Sequence, residues 1–180
     1  MNISRLLKKD FEELFSLMSQ AFPPEEYRPK EKQLAILDDP DYSVTVFKEN
    51  NTINAFIAIW KLNGFNFAEH LAVSSNMRNR GIVSEFLKAF LEESTLPLVL
   101  EVENLTDSLA LRRIGFYQRL GFILTDICYD QPNFHTTNKV IPLRIMYHPN
   151  GKQVDVGGIK KEIFEKVYKK ATPTEEKYEQ

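Results

Sequence analysis

Arg78-Asn79-Arg80-Gly81-Ile82-Val83-Ser84 brings two cations and a glycine to the point where an extended apolar stretch gives way to a helical pattern. That combination suits a phosphate. A helix start exposes backbone N–H groups with no intrahelical partner, together with the positive end of the helix dipole. Glycine lets the backbone approach an anion closely, and the arginines add charge-assisted donors. The string lacks the GxxxxGK[ST] spacing of a nucleoside-triphosphate loop and the three spaced glycines of a dinucleotide fingerprint. Taken alone, it is also compatible with a basic surface turn.

The elements that must position this string can be read from the surrounding periodicity. Ile3 to Leu6 forms a short strand. Asp10 stands as a helix N-cap, with Glu13 three residues on in capping-box position. Phe11, Leu14, Phe15, Met18, Ala21 and Phe22 follow at helical spacing until Pro23-Pro24 stops the helix. A second helix begins near Pro29 and ends before Asp38-Asp39-Pro40. The period then changes to that of strands: Tyr42 to Lys48, Thr52 to Leu62 and Phe65 to Val73, with turns at Asn50-Asn51 and Asn63-Gly64. Gly81 to Glu93 reads as an amphipathic helix, Leu96 to Val102 as a short strand, and Ser108 to Leu120 as a helix stopped by Gly121. Strands at Phe122 to Tyr129 and Ile141 to Tyr147 and a late helix from Gly158 to Lys170 complete the pass. The expected order is βααβββαβαββ in a domain of residues 1–148, followed by a helical appendage and polar tail at 149–180.

Composition bounds the function. A length of 180 residues suits one domain. The net charge of −2 provides no global basic field for nucleic acid or anionic membrane, so neither is an expected partner. The single cysteine, Cys128, excludes an internal disulfide, and the charged Met1 to Asp10 stretch lacks a signal-peptide core. A cytoplasmic location is expected. Cys128 and Trp60 read as core residues. No metal site is expected.

The string at Arg78 resembles the R/Q-x-x-G-x-G/A signature of GNAT acetyltransferases, with Leu71-Ala72-Val73 standing where that family has its "LAV" strand end. Gly115-Phe116-Tyr117-Gln118-Arg119-Leu120-Gly121-Phe122 is similar to the family's "FYxxLGF" segment. One strand separates the two, and the element order agrees with the family fold; the likeness covers about residues 1–148. Val83 departs from the pattern, since it occupies the final glycine-or-alanine place. The resemblance implies an α/β (α+β) fold: a mixed, mostly antiparallel sheet flanked by helices, with a splay between its central strands.

The same resemblance implies an acetyltransferase that moves an acetyl group from acetyl-coenzyme A to a primary amine. A non-catalytic acyl-coenzyme A binding or sensing module on the same fold is the alternative. Leu71, Ala72, Val73, Arg78, Asn79, Arg80, Gly81, Ile82, Val83, Ser84, Asn104 and Tyr117 are the expected contacts to the cofactor, and a backbone N–H of Leu71 or Val73 would polarise the thioester carbonyl. Tyr117 is the expected general acid, because a phenol with a pKa of about 10 is protonated at neutral pH. Strand alternation puts Glu69 on the face of Leu71 and Val73, with His70 opposite. Glu69 or Glu103 is the expected general base, and Glu101 lies nearby. Glu25, Glu26 and Tyr27 border the acceptor groove and would attract and stack on a small-molecule or peptide amine. A monomer or a homodimer is compatible with the sequence.

Overall fold

Alternating apolar residues from Tyr42 onward build a sheet, and two sets of amphipathic helices cover its faces. The computed structural model describes residues 1–103, 108–131 and 141–168. Strands β1 (Ile3–Arg5), β2 (Tyr42–Glu49), β3 (Thr52–Lys61), β4 (Asn66–Val73), β5 (Leu98–Glu103), β6 (Ile123–Gln131) and β7 (Ile141–His148) lie in one sheet, in the order β1-β2-β3-β4-β5-β7-β6. Among the described residues, only β4 and β5 run parallel; every other neighbouring pair is antiparallel.

The turns between β2, β3 and β4 follow from side-chain chemistry. Asn50 and Asn51 both take positive φ, 52° and 61°, the combination of a type I′ hairpin that matches strand twist. Helix α1 (Phe11–Ala21) buries Phe11, Leu14, Leu17 and Met18. Its first turn differs from the expected capping box: Asp10 makes no side-chain cap. Its carboxylate instead accepts from Lys48 Nζ at 2.7 Å, and Glu13 Oε1 accepts the Ile53 N–H at 2.7 Å. Sheet partners have outcompeted the local helix bonds. The short α2 (Lys30–Ala35) leads into β2.

Two apolar clusters sit on opposite faces of the sheet. The first joins α1 to Val44, Phe56, Trp60 and Phe67, and also to Ile159, Ile163, Val167 and Tyr168 from the end of the chain. Those last residues belong to α5 (Val156–Ile163) and to a single π-helical turn, Phe164–Tyr168, that continues it. The second cluster packs α3 (Ile82–Glu93) and α4 (Ser108–Arg119) on Ile57, Leu98, Leu100, Val102 and Met146. Trp60 is fully buried, as expected. Cys128 is not: it is exposed on the edge strand β6, where alternation turns it to solvent while Tyr129 turns inward.

Candidate active site

The site begins with an irregularity in β4. Residues Ala55–Ala58 pair with Val73–His70, but the next residue, Ile59, pairs with Ala68, so β4 carries one extra residue at Glu69. The N–H directions record the same insertion. Asn66 N–H donates to Pro97 O, toward β5, whereas Ser74 N–H donates to Asn54 O, toward β3. Residues of equal parity would point the same way in a regular strand, so a bulge has reversed them.

Two consequences follow. Beyond the bulge, alternation from Ser74 directs the Leu71 and Val73 N–H groups away from β3, to the open side of the strand. That side is open because β4 pairs with β5 only over Asn66–Ala68 and Leu98–Leu100; past Ala68 the strands splay. The bulge also puts Glu69 and His70 on the same face, opposite Leu71 and Val73, and so corrects the expectation from simple alternation. Glu69 Oε2 lies 3.6 Å from His70 Nδ1, and Leu71 and Val73 pack on the other cluster.

At the far end of β4, the chain turns through Arg78–Arg80 into α3. Asn79 and Gly81 take positive φ, 61° and 73°. The first bond of the helix runs from Glu85 N–H to Gly81 O at 3.1 Å, so the N–H groups of Ile82, Val83 and Ser84 precede the helical ladder. A Cβ at Gly81 would meet nothing within 4 Å. The bend is therefore an open cradle beside helix-start donors, a shape suited to an anion.

A pocket of about 180 Å³ connects this turn to the strand. Leu71, Ala72, Val73, Arg78, Val83 and Tyr117 line it, with Ala21 and Phe22 of the first helix region. Tyr117 is set by the end of α4. Gly121 at φ 88° terminates the helix, and Phe122 N–H reaches back to Tyr117 O at 3.1 Å, a Schellman closure. The Tyr117 ring packs on Phe116 and Phe122. Burial pushes its hydroxyl up to about 12, opposed by Arg113 and helped by Glu103, so it is a proton donor across the physiological range.

A second pocket, of about 80 Å³, adjoins the other half of the bulged strand and is rich in carboxylates. Ala68, Glu69 and His70 of β4 line it, facing Glu101 and Glu103 of β5, with Glu26 and Arg113. Glu69 is held by Arg28 through two hydrogen bonds, 2.8 and 2.7 Å, and both side chains are buried, at 2% and 1% exposure. Burial opposes the charge on Glu69, but the Arg28 guanidinium outweighs it and keeps the carboxyl below the usual range. Burial lowers the His70 pKa, so the neutral ring places Nε2 2.8 Å from Glu26 O as donor. Its Nδ1 is buried with no hydrogen-bond partner. Glu103 pairs with Arg113 of α4 at the rim.

Glu101 is the residue that sequence reasoning passed over in favour of Glu69 and Glu103. Burial pushes its carboxyl up to about 8, Tyr168 opposes this by donating a hydrogen bond, and Glu69 and Glu26 reinforce it. Its place between two other acidic positions was visible in the sequence; its burial and its partner 67 residues away were not. Of the expected acceptor residues, Glu26 lines the acid pocket, whereas Tyr27 packs edge-on against Phe15 with ring centroids 5.7 Å apart. Glu25 adjoins Glu26 in the same turn but does not line the pocket. Asn104 lies outside the described residues.

The mostly antiparallel seven-stranded sheet, splayed between β4 and β5 and flanked by helices, matches the fold of GNAT structures. Residues 40–124 match the family model of the acetyltransferase (GNAT) domain. A solved GNAT-family protein from Bacteroides thetaiotaomicron is 29% identical, with a TM-score of 0.84 over 93% of this chain and 98% of its own. The ribosomal-protein-S18-alanine N-acetyltransferase from Escherichia coli shares the fold at 21% identity and TM-score 0.64, over 86% of this chain and 97% of its own. So does a protein from Salmonella typhimurium solved with its cofactor acetyl-CoA, at 16% identity and TM-score 0.62, over 86% and 96%. Among curated proteins, none matches the chain in sequence. Among the described residues, no helix is long and apolar enough to cross a membrane, and no group of three or more His, Cys, Asp or Glu side chains is placed to hold a metal ion.

Proposed function

We propose that this protein transfers an acetyl group from acetyl-coenzyme A to a primary amine. The observation that carries the reading is the continuity of β4. Its open half lines the Tyr117 pocket through Leu71–Val73 and the acid pocket through Ala68–His70. A donor lying along the strand and an amine in the acid pocket would therefore meet where the two pockets adjoin.

Acetyl-coenzyme A would supply an activated acetyl thioester. Arg78, Asn79, Arg80, Gly81, Ile82, Val83 and Ser84 would hold its pyrophosphate, by charge at the arginines and by backbone N–H groups at the helix start. The Leu71 and Val73 N–H groups would pair with the pantetheine arm as an added strand does, and one of them would polarise the carbonyl oxygen. Ala72 separates these donors. Val83 lines the same pocket as Arg78 and Tyr117, so its branched side chain contributes to the wall rather than obstructing the cradle at Gly81.

In the acid pocket, Glu26 and the neighbouring Glu25 would draw in an ammonium group, and Tyr27 would brace the turn that carries them. The base must accept a proton from an amine whose pKa is about 10. Of the pocket carboxylates, Glu101, at about 8, is the best matched to that transfer. Glu69 would act by fixing the pocket's charge through Arg28, and Glu103 would pass the proton outward at the rim. Tyr117 O–H would then protonate the departing sulfur. A non-catalytic acyl-coenzyme A module is the competing reading. Tyr117→Phe separates the two: the transferase reading expects turnover to fall by about 10² or more with acetyl-coenzyme A affinity retained. Unchanged turnover in that variant would remove Tyr117 from the mechanism.

A further inference from the structure

The Tyr168 hydroxyl lies 2.8 Å from Glu101 Oε1 and 2.9 Å from Oε2. One O–H is thus shared between both carboxylate oxygens. Tyr168 comes from the opposite end of the chain and is fully buried. It lies in the π-helical turn Phe164–Tyr168. Such wide turns re-aim side chains and are frequent at functional sites. Its ring stacks edge-on on Phe164, which in turn meets Tyr129 of β6, with centroids 5.5 and 5.3 Å apart.

We propose that Tyr168 is a positioning residue: its hydroxyl fixes the Glu101 carboxylate against the acid pocket and thereby sets how readily that carboxylate takes the acceptor's proton. This rests on the reading of Glu101 as proton acceptor. The alternative for a buried carboxylate among like charges is to turn away or stay protonated. Glu101 faces Glu69 with its partner Arg28, His70, and Glu26 across the pocket; Glu103, paired with Arg113, follows on its own strand. None of these groups donates to Glu101; among the described residues, Tyr168 is its hydrogen-bond donor. Burial holds the Tyr168 phenol well above its ordinary pKa, so it remains a donor wherever Glu101 titrates.

The test follows the Glu101 side-chain carbon by ¹³C NMR across pH in the full-length protein, alongside thiol release with acetyl-coenzyme A and 1,4-diaminobutane as the amine probe. In Tyr168→Phe the Glu101 midpoint should rise by about one pH unit, and the low-pH limb of thiol release should move with it. Acetyl-coenzyme A affinity should not change. Incorporating 3-fluorotyrosine at position 168 keeps the ring and strengthens the donor, so the midpoint should fall; this arm decides the matter if Tyr168→Phe does not fold. A midpoint that stays put in the folded protein overturns the proposal. A midpoint that moves while thiol release does not follow overturns the base reading of Glu101 instead, as would a limb that survives in Glu101→Gln.

Discussion

Arg28 and Glu69 meet through two parallel hydrogen bonds, at 2.7 and 2.8 Å, beneath the acid pocket and out of contact with solvent. A guanidinium presents donors in a rigid fork that matches a carboxylate, and the Arg28 side chain also lies over the Trp60 ring, 5.7 Å from its centroid. The pair fixes the turn after α1 to the bulge in β4, which are the two segments that bring Glu26 and His70 together.

Breaking this pair should be far worse than removing it. Arg28→Met leaves a buried carboxylate uncompensated and should destabilise the fold by about 3–5 kcal/mol. Replacing both residues, as Arg28→Met with Glu69→Leu, should recover most of that loss. Urea unfolding of the two singles and the double variant measures the coupling; additive losses would mean that the pair does not act as a unit.

The turn at Arg78 should act on the donor and not on the acceptor. Arg78→Ala should weaken acetyl-coenzyme A binding by about tenfold or more, the worth of a charge-assisted contact, with the amine KM little changed. Gly81→Ala has steric room but an unfavourable φ of 73°, which costs about 1–2 kcal/mol of stability. Its Cβ would also enter the phosphate cradle, so affinity should fall further than stability alone explains. Titration calorimetry with acetyl-coenzyme A, beside thermal unfolding, separates the two effects.

Glu101 should leave a pH signature on stability. Its carboxyl rises from an ordinary 4.5 to about 8 in the folded chain. The folded state therefore holds this proton more tightly than the unfolded state does. That stabilisation is complete below about 4.5 and is lost as pH climbs through about 8. Glu101→Gln lacks the titration. Its Tm should be close to that of the parent at pH 5 and above it at pH 9, where the parent carries a buried charge. An equal Tm difference at both pH values would contradict the shifted Glu101.

Much of the fold was legible because it is written in local chemistry. Asn50-Asn51 and Gly121 mark turns that need positive φ, and the apolar periods of α1, α3 and β3 find their partners in two clusters. The Arg78 turn and the Tyr117 segment were visible for the same reason. What stayed hidden depends on residues far apart in the chain. The β4 bulge moved Glu69 onto the face of His70, and nothing in Asn66–Val73 announces it; it emerges from register against β3. The partner of Arg28 lies 41 positions on, so no local pattern marks the pair. The late helix is amphipathic: Lys160, Lys161 and Lys166 are exposed, while Ile159, Ile163, Val167 and Tyr168 are buried in the first core cluster, a partner surface that no local pattern names. Cys128 looked like a core residue by type, but its place in β6 alternation put it outside.

The transferase reading meets its most direct test in free-thiol release from acetyl-coenzyme A, with mass spectrometry of the amine, across small polyamines, aminoglycosides, peptide N-termini and lysine peptides. At least one class should gain a single acetyl group in step with thiol release, and the rate should fall as pH drops below about 8, where Glu101 takes up its proton. Tight binding of acetyl-coenzyme A with no thiol released above background for any class would contradict it.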